Sequence, residues 1–179
     1  MPSIDPCNYL VTETLKGGLG VTIRALRPDD RARVARAVRE LDRQSIYFRL
    51  FSYRNELTEA GLDRIMKFDP DSEVALLVTT PIGNEEVVIG SGRYVRSAPA
   101  TAEVAFLVEE DYHGRGIASR VLRHLAIVAR GRGITTFEAD VLAENKAMHA
   151  VFARTGWPMQ SQRDGGTLHV TLTLPYAPS

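Results

Sequence analysis

The stretch that most restricts the fold is His113-Gly114-Arg115-Gly116-Ile117-Ala118-Ser119. Before it lies the apolar run Val104-Ala105-Phe106-Leu107-Val108, with the length and Val/Phe content of a buried strand. After it, Ile117, Val121, Leu122, Leu125, Val128 and Ala129 recur at helical spacing. The unit reads as strand, glycine-rich turn, helix. Glycine lets such a turn take positive φ and lets backbone approach a ligand closely. The first turn of the helix leaves N–H groups unpaired, and its dipole favours an anion. From His113 to Arg132 there is no acid but there are five arginines, Arg115, Arg120, Arg123, Arg130 and Arg132. This is the pattern of a site for a phosphate-bearing ligand. The alternative is an ordinary loop-to-helix junction with a solvated basic face.

Three glycine-rich anion loops compete. A P-loop needs Gly-Lys-Ser/Thr, which does not follow here, so nucleotide triphosphate hydrolysis is disfavoured. A dinucleotide fingerprint needs Gly-x-Gly-x-x-Gly; Gly114 and Gly116 fit, but the third position is Ser119. Glu138 lies near the distance of a ribose-binding acid, yet such a unit usually opens a domain, and only one further βα pair follows here. In the third candidate, His113-Gly114-Arg115-Gly116-Ile117-Ala118 resembles motif A of the GNAT acetyltransferase superfamily, Gln/Arg-x-x-Gly-x-Gly/Ala. The departure is His113, at a position that mostly shapes the loop.

A second match lies downstream. Asn145 to Trp157 resembles the superfamily's motif B, in which an Asn opens a helix and a Gly followed by an aromatic closes it. Asn145 is a good N-cap, Gly156 a good C′ residue, and Met148, Val151 and Phe152 form an apolar stripe. Within the superfamily, Ala102-Glu103-Val104-Ala105-Phe106, residues 20–28 and 45–52, and Leu142 to Met148 look like the bacterial Pat-type protein lysine acetyltransferases. The resemblance implies acetyl-CoA as cosubstrate. Its diphosphate would be held by the loop of His113, Gly114, Arg115, Gly116, Ile117, Ala118 and Ser119. Its pantetheine arm would lie along Phe106, Leu107 and Val108, contacted by Asn145 and bordered by Met148 and Phe152. It also implies a protein substrate with an acetylatable lysine, an acyl-CoA synthetase being the Pat-type case.

Acetyl transfer from a thioester to an amine needs the amine neutral, although a lysine has a pKa of about 10.4 in water. A general base is therefore required, directly or through a water. Backbone N–H groups can stabilise the oxyanion that develops. Glu103 is the candidate base. It opens the central strand, and over Ala102–Val108 it shares a face with Ala105 and Leu107. From the residues alone, a cleft carboxyl of raised pKa and a strand-end charge in solvent are both open; the Pat-type resemblance implies the base. Many superfamily members protonate the leaving thiolate with a Tyr seven residues after the motif B Asn. Here that residue is Phe152. Water can protonate the sulfur, or the thiolate can leave as such, since such thiols have pKa values of about 8.5. Tyr112 and His149 are fallback donors.

Composition narrows the class. The 179 residues suffice for one domain, expected to be a single N-acetyltransferase domain over 1–179 with its core at about 21–174. Lysine plus arginine and aspartate plus glutamate balance at 22 each, which argues against non-specific nucleic-acid binding. Cys7 is the single cysteine and the four histidines lack ligand spacing, so no disulfide or metal site is expected. No apolar stretch is long enough to span a membrane, and Met1–Asp5 does not begin a signal peptide, so the expected location is cytoplasmic. A small-molecule amine as acceptor, or a non-catalytic acetyl-CoA-binding regulatory module, are the rival functions.

Along the chain, strands are expected at 9–15 and 21–24 with a turn at Lys16-Gly17-Gly18. A helix entered at Pro28-Asp29-Asp30 follows, striped by Val34, Val38 and Leu41. The run Ser45–Ser52 reads either as aromatics tucked into the core or as a substrate-side wall with Tyr47 and Arg49. Thr58 is expected to cap a helix running to about Phe68. Further strands are expected at 74–80, 87–95, 102–108, 134–141 and 168–174. The fold class is α/β (α+β): a single-domain GNAT fold with a mixed, mostly antiparallel sheet flanked by helices.

Overall fold

Alternating apolar residues in consecutive segments, joined by tight glycine turns, build a meander of strands. The computed structural model describes residues 5–39, 59–67, 69–108, 112 and 114–176. The expectations for Leu41, residues 45–52, Thr58, Phe68 and His113, and for the side chain of Val38, lie outside the described residues. The strands are β1 (Leu10–Thr14), β2 (Gly20–Ala25), β3 (Glu73–Ile82), β4 (Glu85–Ala98), β5 (Thr101–Val108), β6 (Thr136–Leu142), β7 (Met159–Asp164) and β8 (Thr167–Thr173). They form one eight-stranded sheet in the order β1-β2-β3-β4-β5-β6-β8-β7. All pairings are antiparallel except β5 with β6. The described helices are α1 (Arg31–Arg39), α2 (Glu59–Met66), α3 (Ile117–Gly131) and α4 (Lys146–Ala153), with a 3-10 turn at Pro28–Asp30.

The helices take opposite faces. Val34 and Ala37 of α1 and Leu62 of α2 pack with Leu77 of β3 and Val88 of β4. The other face holds the larger cluster. There Ile117, Val121, Leu122, Leu125, Ala126, Val128 and Ala129 of α3 meet Leu76, Val78, Tyr94, Val104, Phe106 and Phe137. α4 joins this cluster through Phe152, whose ring meets Phe106 edge-on at 6.3 Å.

Two glycines of β4 set how closely α3 lies on the sheet. A Cβ on Gly92 would overlap Val121 Cγ1, and would lie 3.1 Å from Leu125 Cδ1 and Phe106 Cδ1. A Cβ on Gly90 would come within 2.8 Å of Ile117 Cγ2. The side chains of α3 therefore rest on bare strand backbone.

The sequence reading placed the strands well but missed β7. Its six residues, Met-Gln-Ser-Gln-Arg-Asp, are all exposed, so no alternation of polarity marks it. Its edge position and the Gly165-Gly166 turn into β8 make it a strand through backbone pairing alone. Arg24 is a second surprise. It sits in β2 at 2% exposure and grips Asp30, at 0%, through two hydrogen bonds of 2.8 and 2.7 Å. Glu86 of β4 accepts from the same guanidinium at 2.7 and 3.2 Å. Asp30 also accepts from the Arg27 amide at 2.7 Å, closing the 3-10 turn that starts α1.

Candidate active site

The candidate site lies where β5 and β6 part. Their parallel ladder holds only Thr101–Thr136, Ala102–Phe137 and Glu103–Glu138. Beyond Glu103, β5 remains paired with β4 up to Val108–Gly90, while β6 pairs with β8 up to Leu142–Thr167. From Val104 onward the two strands therefore diverge, and a wedge opens between them. Phe106, Leu107 and Val108 line its β5 side; the side chain of Phe106 is buried, and those of Leu107 and Val108 are half-buried.

At the end of β5 the chain turns into α3. Gly114 and Gly116 both have φ of +82°, and a Cβ on either would meet nothing within 4 Å. Gly116 is the N-cap, no side chain bonds to the cap, and the first turn carries no acid. Arg120 N–H is the first to return to the turn, reaching Gly116 O at 3.1 Å. The amides of Ile117, Ala118 and Ser119 thus lie ahead of the helical ladder, at its positive end. Ile117 is buried in the core, and Ala118 and Ser119 are half-buried.

Glu103 projects from the last paired rung. Its ladder partners are Val95 on β4 and Glu138 on β6, so it shares a face with Ala105 and Leu107, as the alternation predicts. Glu103 is exposed. Of the two environments left open by the sequence, the solvent-facing strand end is the one observed. Glu138 lies 3.7 Å from His169 Nε2, and His169 Nδ1 bonds Asp140 at 2.7 Å. The hydrogen bond to Asp140 raises the pKa of His169, partly offset by burial and reinforced by the charge of Glu138.

Motif B behaves as a capped helix on the far side of the wedge. Asn145 Oδ1 accepts from the Met148 amide at 3.2 Å. Met148 is half-buried, and Phe152, at 1% exposure, fills the place of the expected tyrosine against Phe106. The fallback donor His149 bonds the Leu142 carbonyl at 3.2 Å, and Tyr112 is half-buried beside Arg115.

One network at the site was not legible in the sequence. Glu13 of β1 accepts from Arg120 at 2.8 Å and bonds His124 at 2.6 Å, and the Tyr9 hydroxyl bonds the other ring nitrogen of His124. Burial alone would raise the Glu13 carboxyl, but Arg120 and His124 outweigh it and hold it below the ordinary range. Burial and the charge of Glu13 push the Tyr9 phenol up. The N-terminal hairpin is thereby fastened to α3.

The sequence model of the acetyltransferase (GNAT) family matches residues 37–157. The chain belongs to this family. It is an acyltransferase. It is 30% identical over 156 residues to acetyltransferase PA5475 of Pseudomonas aeruginosa, covering 87% of this chain and 84% of that protein. To acetyltransferase Pat of Mycolicibacterium smegmatis it is 33% identical over 136 residues, covering 75% of this chain. The match spans 40% of the length of that Pat. The crystal structure of the GNAT domain of S. lividans PAT superposes with a TM-score of 0.81 at 31% identity, covering 92% of this chain and 97% of that domain. Among the described residues, no helix is long and apolar enough to cross a membrane, and no group of three or more His, Cys, Asp or Glu side chains is arranged to hold a metal ion.

Proposed function

We propose that this acyltransferase uses acetyl-CoA to acetylate a protein lysine in the cytoplasm, an acyl-CoA synthetase being the substrate class. Residues 1–179 would act as one catalytic domain with its core at about 21–174. The observation that carries the reading is the parting of β5 from β6 immediately after Glu103, with the uncapped start of α3 at the end of the same strand.

The residues fit the coenzyme. The two left-handed glycines with open space in front of them, and the amides of Ile117, Ala118 and Ser119, suit a diphosphate. His113 and Arg115 are assigned to the same diphosphate by the family resemblance. The backbone of Phe106, Leu107 and Val108 suits an amide-bearing arm that continues the sheet where β6 has left. Asn145, Met148 and Phe152 border the arm from α4. When bound, acetyl-CoA supplies an acetyl group activated as a thioester.

Glu103 stands at the apex of the wedge and accepts a proton from the incoming ammonium, directly or through a water, so that the free amine attacks the thioester carbon. Its exposure suits an acceptor arriving on a large partner. Phe152 stands in the tyrosine position and His149 is engaged by a carbonyl, so neither would supply a proton to the sulfur released as the C–S bond breaks; water would protonate it, or it would leave as the thiolate. The Pat name of one relative and of one solved domain supports a lysine acceptor.

The test is incubation of the protein with labelled acetyl-CoA and a cell lysate, followed by mass spectrometry of labelled lysines. In parallel, Glu103→Gln is expected to lower kcat by about a hundredfold, within the range for loss of a general base, with coenzyme affinity unchanged. An unchanged rate would remove Glu103 from the chemistry. Tight coenzyme binding without transfer to any acceptor would favour a regulatory binding module.

A further inference from the structure

The alternation of β6 sets Phe137, Ala139 and Val141 into the core and leaves Glu138 and Asp140 on the opposite face. In β8, Val170 and Leu172 are core residues, so His169 and Thr171 share the face of the two acids. Glu103 joins them, because Ala102 and Val104 on either side of it are buried and Glu138 is its partner on the last rung of the β5–β6 ladder. Neighbouring strands lie about 4.8 Å apart. A second carboxylate therefore leaves the sheet one strand away from Glu103, on the same side.

The two acids are held differently. Among the described residues, Glu103 has no ion pair or side-chain hydrogen bond. Glu138 is half-buried, and its Oε1 lies 3.7 Å from His169 Nε2, longer than a hydrogen bond but within reach of a charge. Asp140 takes His169 Nδ1 at 2.7 Å, which leaves Nε2 as the ring atom toward Glu138. On β4 the partner of Glu103 is Val95, and Arg93, two residues before it, is engaged by Glu73 at 2.8 Å. Thr171 stands across from Glu138, and Gln160 and Gln162 of β7 continue the face without charge. His169 is thus the cation that the described residues bring to Glu138.

We propose that Glu138 is an acceptor-binding residue that receives the ammonium of the incoming lysine beside Glu103, and that His169, steadied by Asp140, competes with that ammonium. This role rests on the reading of Glu103 as the base. A lysine arrives protonated and must be held while it gives up a proton. One carboxylate cannot both take that proton and keep the charge that attracted the amine. The proton goes to Glu103, and Glu138 keeps its charge and its hold on the nitrogen.

Steady-state acetyl transfer from acetyl-CoA to a purified acyl-CoA synthetase tests it, with the acceptor varied at saturating coenzyme. Glu138→Gln should raise KM for the acceptor about threefold with kcat near wild type, as a partly solvated ion pair provides. His169→Gln should lower that KM about twofold, a gain that damage to the fold would not produce. In the double variant the His169→Gln effect should vanish, because its target is gone. Raised salt should shrink both single effects. An acceptor KM unmoved in Glu138→Gln would overturn the role of Glu138. So would shifts of the same sign in the two single variants, or effects that multiply independently in the double variant. A Glu103→Gln protein as active as wild type would overturn the base reading and, with it, this division of roles. A wild type that transfers nothing to the synthetase would overturn the acceptor reading and the inference together.

Discussion

Gly92 couples the stability of the fold to the geometry of the glycine loop proposed to hold the coenzyme. In Gly92→Ala the new methyl overlaps Val121 Cγ1 and sits 3.1 Å from Leu125 Cδ1 and Phe106 Cδ1. Carbon pairs prefer about 3.5–4.0 Å. Val121 and Leu125 are both 0% exposed, so neither can swing into solvent. Overpacking of this kind costs about 1–3 kcal/mol. Alanine restores about 0.5–1 kcal/mol by limiting the unfolded chain. A net loss of about 1–2 kcal/mol is expected, read as a lower urea midpoint at unchanged slope. Any part of the strain relieved by lifting α3 also moves the amides of residues 117–119, so coenzyme affinity falls in the same variant. The decisive measurement is the double variant with Val121→Ala. That change alone costs about 1–3 kcal/mol in lost burial and cavity. It also removes the methyl that Gly92→Ala strikes, so the pair should be less destabilised than the sum by about 1 kcal/mol or more. Strict additivity, or a Gly92→Ala protein as stable as wild type, would refute the close-approach argument.

Three further outcomes follow from the electrostatics. Burial alone would raise the Asp30 carboxyl, but the Arg24 hydrogen bonds, the Arg27 amide and both charges hold it below its ordinary value. Its stabilisation is therefore present above the unfolded pKa of about 3.9 and is lost as pH falls through the lower folded value. Asp30→Asn should cost about 3 kcal/mol at pH 7 and flatten the acid limb of the urea midpoint against pH; an unaltered acid limb would contradict the assignment. The Tyr94 hydroxyl is buried with no hydrogen-bond partner among the described residues, and burial pushes its pKa up to about 12. Tyr94→Phe should thus leave stability unchanged or raise it by up to about 1 kcal/mol, and a clear drop in melting temperature would show the hydroxyl to be engaged. For His169, raised chiefly by its bond to Asp140, stabilisation is full below the unfolded pKa of about 6.5 and is lost as pH rises through the higher folded value. His169→Gln should remove that slope from a series of melts between pH 6 and pH 8, and a slope that persists would place its origin elsewhere.

The sequence exposed those parts of the molecule in which local pattern and tertiary role coincide. The Gly114-x-Gly116 turn between an apolar strand and an amphipathic helix is such a part, because each glycine occupies a left-handed position. Asn145 is another, because an N-cap is a local device. Gly90 and Gly92 were visible as two glycines on one face of a strand, but only α3 lying across β4 gives them a meaning. Arg24 looked like an ordinary polar residue at a strand end. Its burial depends on Asp30, six residues on, and Glu86, sixty-two residues on, and no periodicity reports the second of these. Glu13, His124 and Tyr9 share that property, meeting across more than a hundred residues. The exposure of Glu103 was equally hidden, since an acid heading an apolar strand reads the same whether the wedge beside it is open or closed.

The position of the site follows from one topological fact. β5 and β6 are the parallel pair of the sheet, and parallel neighbours need a crossover, here α3. The turn from β5 into α3 must then lie at the carboxyl end of β5, on the line where the strands separate. Glu103 marks the other end of that separation. Five residue steps of about 3.3 Å, about 16 Å in all, divide Glu103 from Val108 at the end of the strand. On the proposed reading, a ligand that reaches from the glycine loop to Glu103 must be extended and would run beside backbone that β6 no longer pairs with. Adding rungs to the β5–β6 ladder would close that path, and removing them would loosen the rung that holds Glu103. The three-rung ladder ends at Glu103, so on the proposed reading it is short enough to admit an extended arm and long enough to hold the strand that carries the carboxylate.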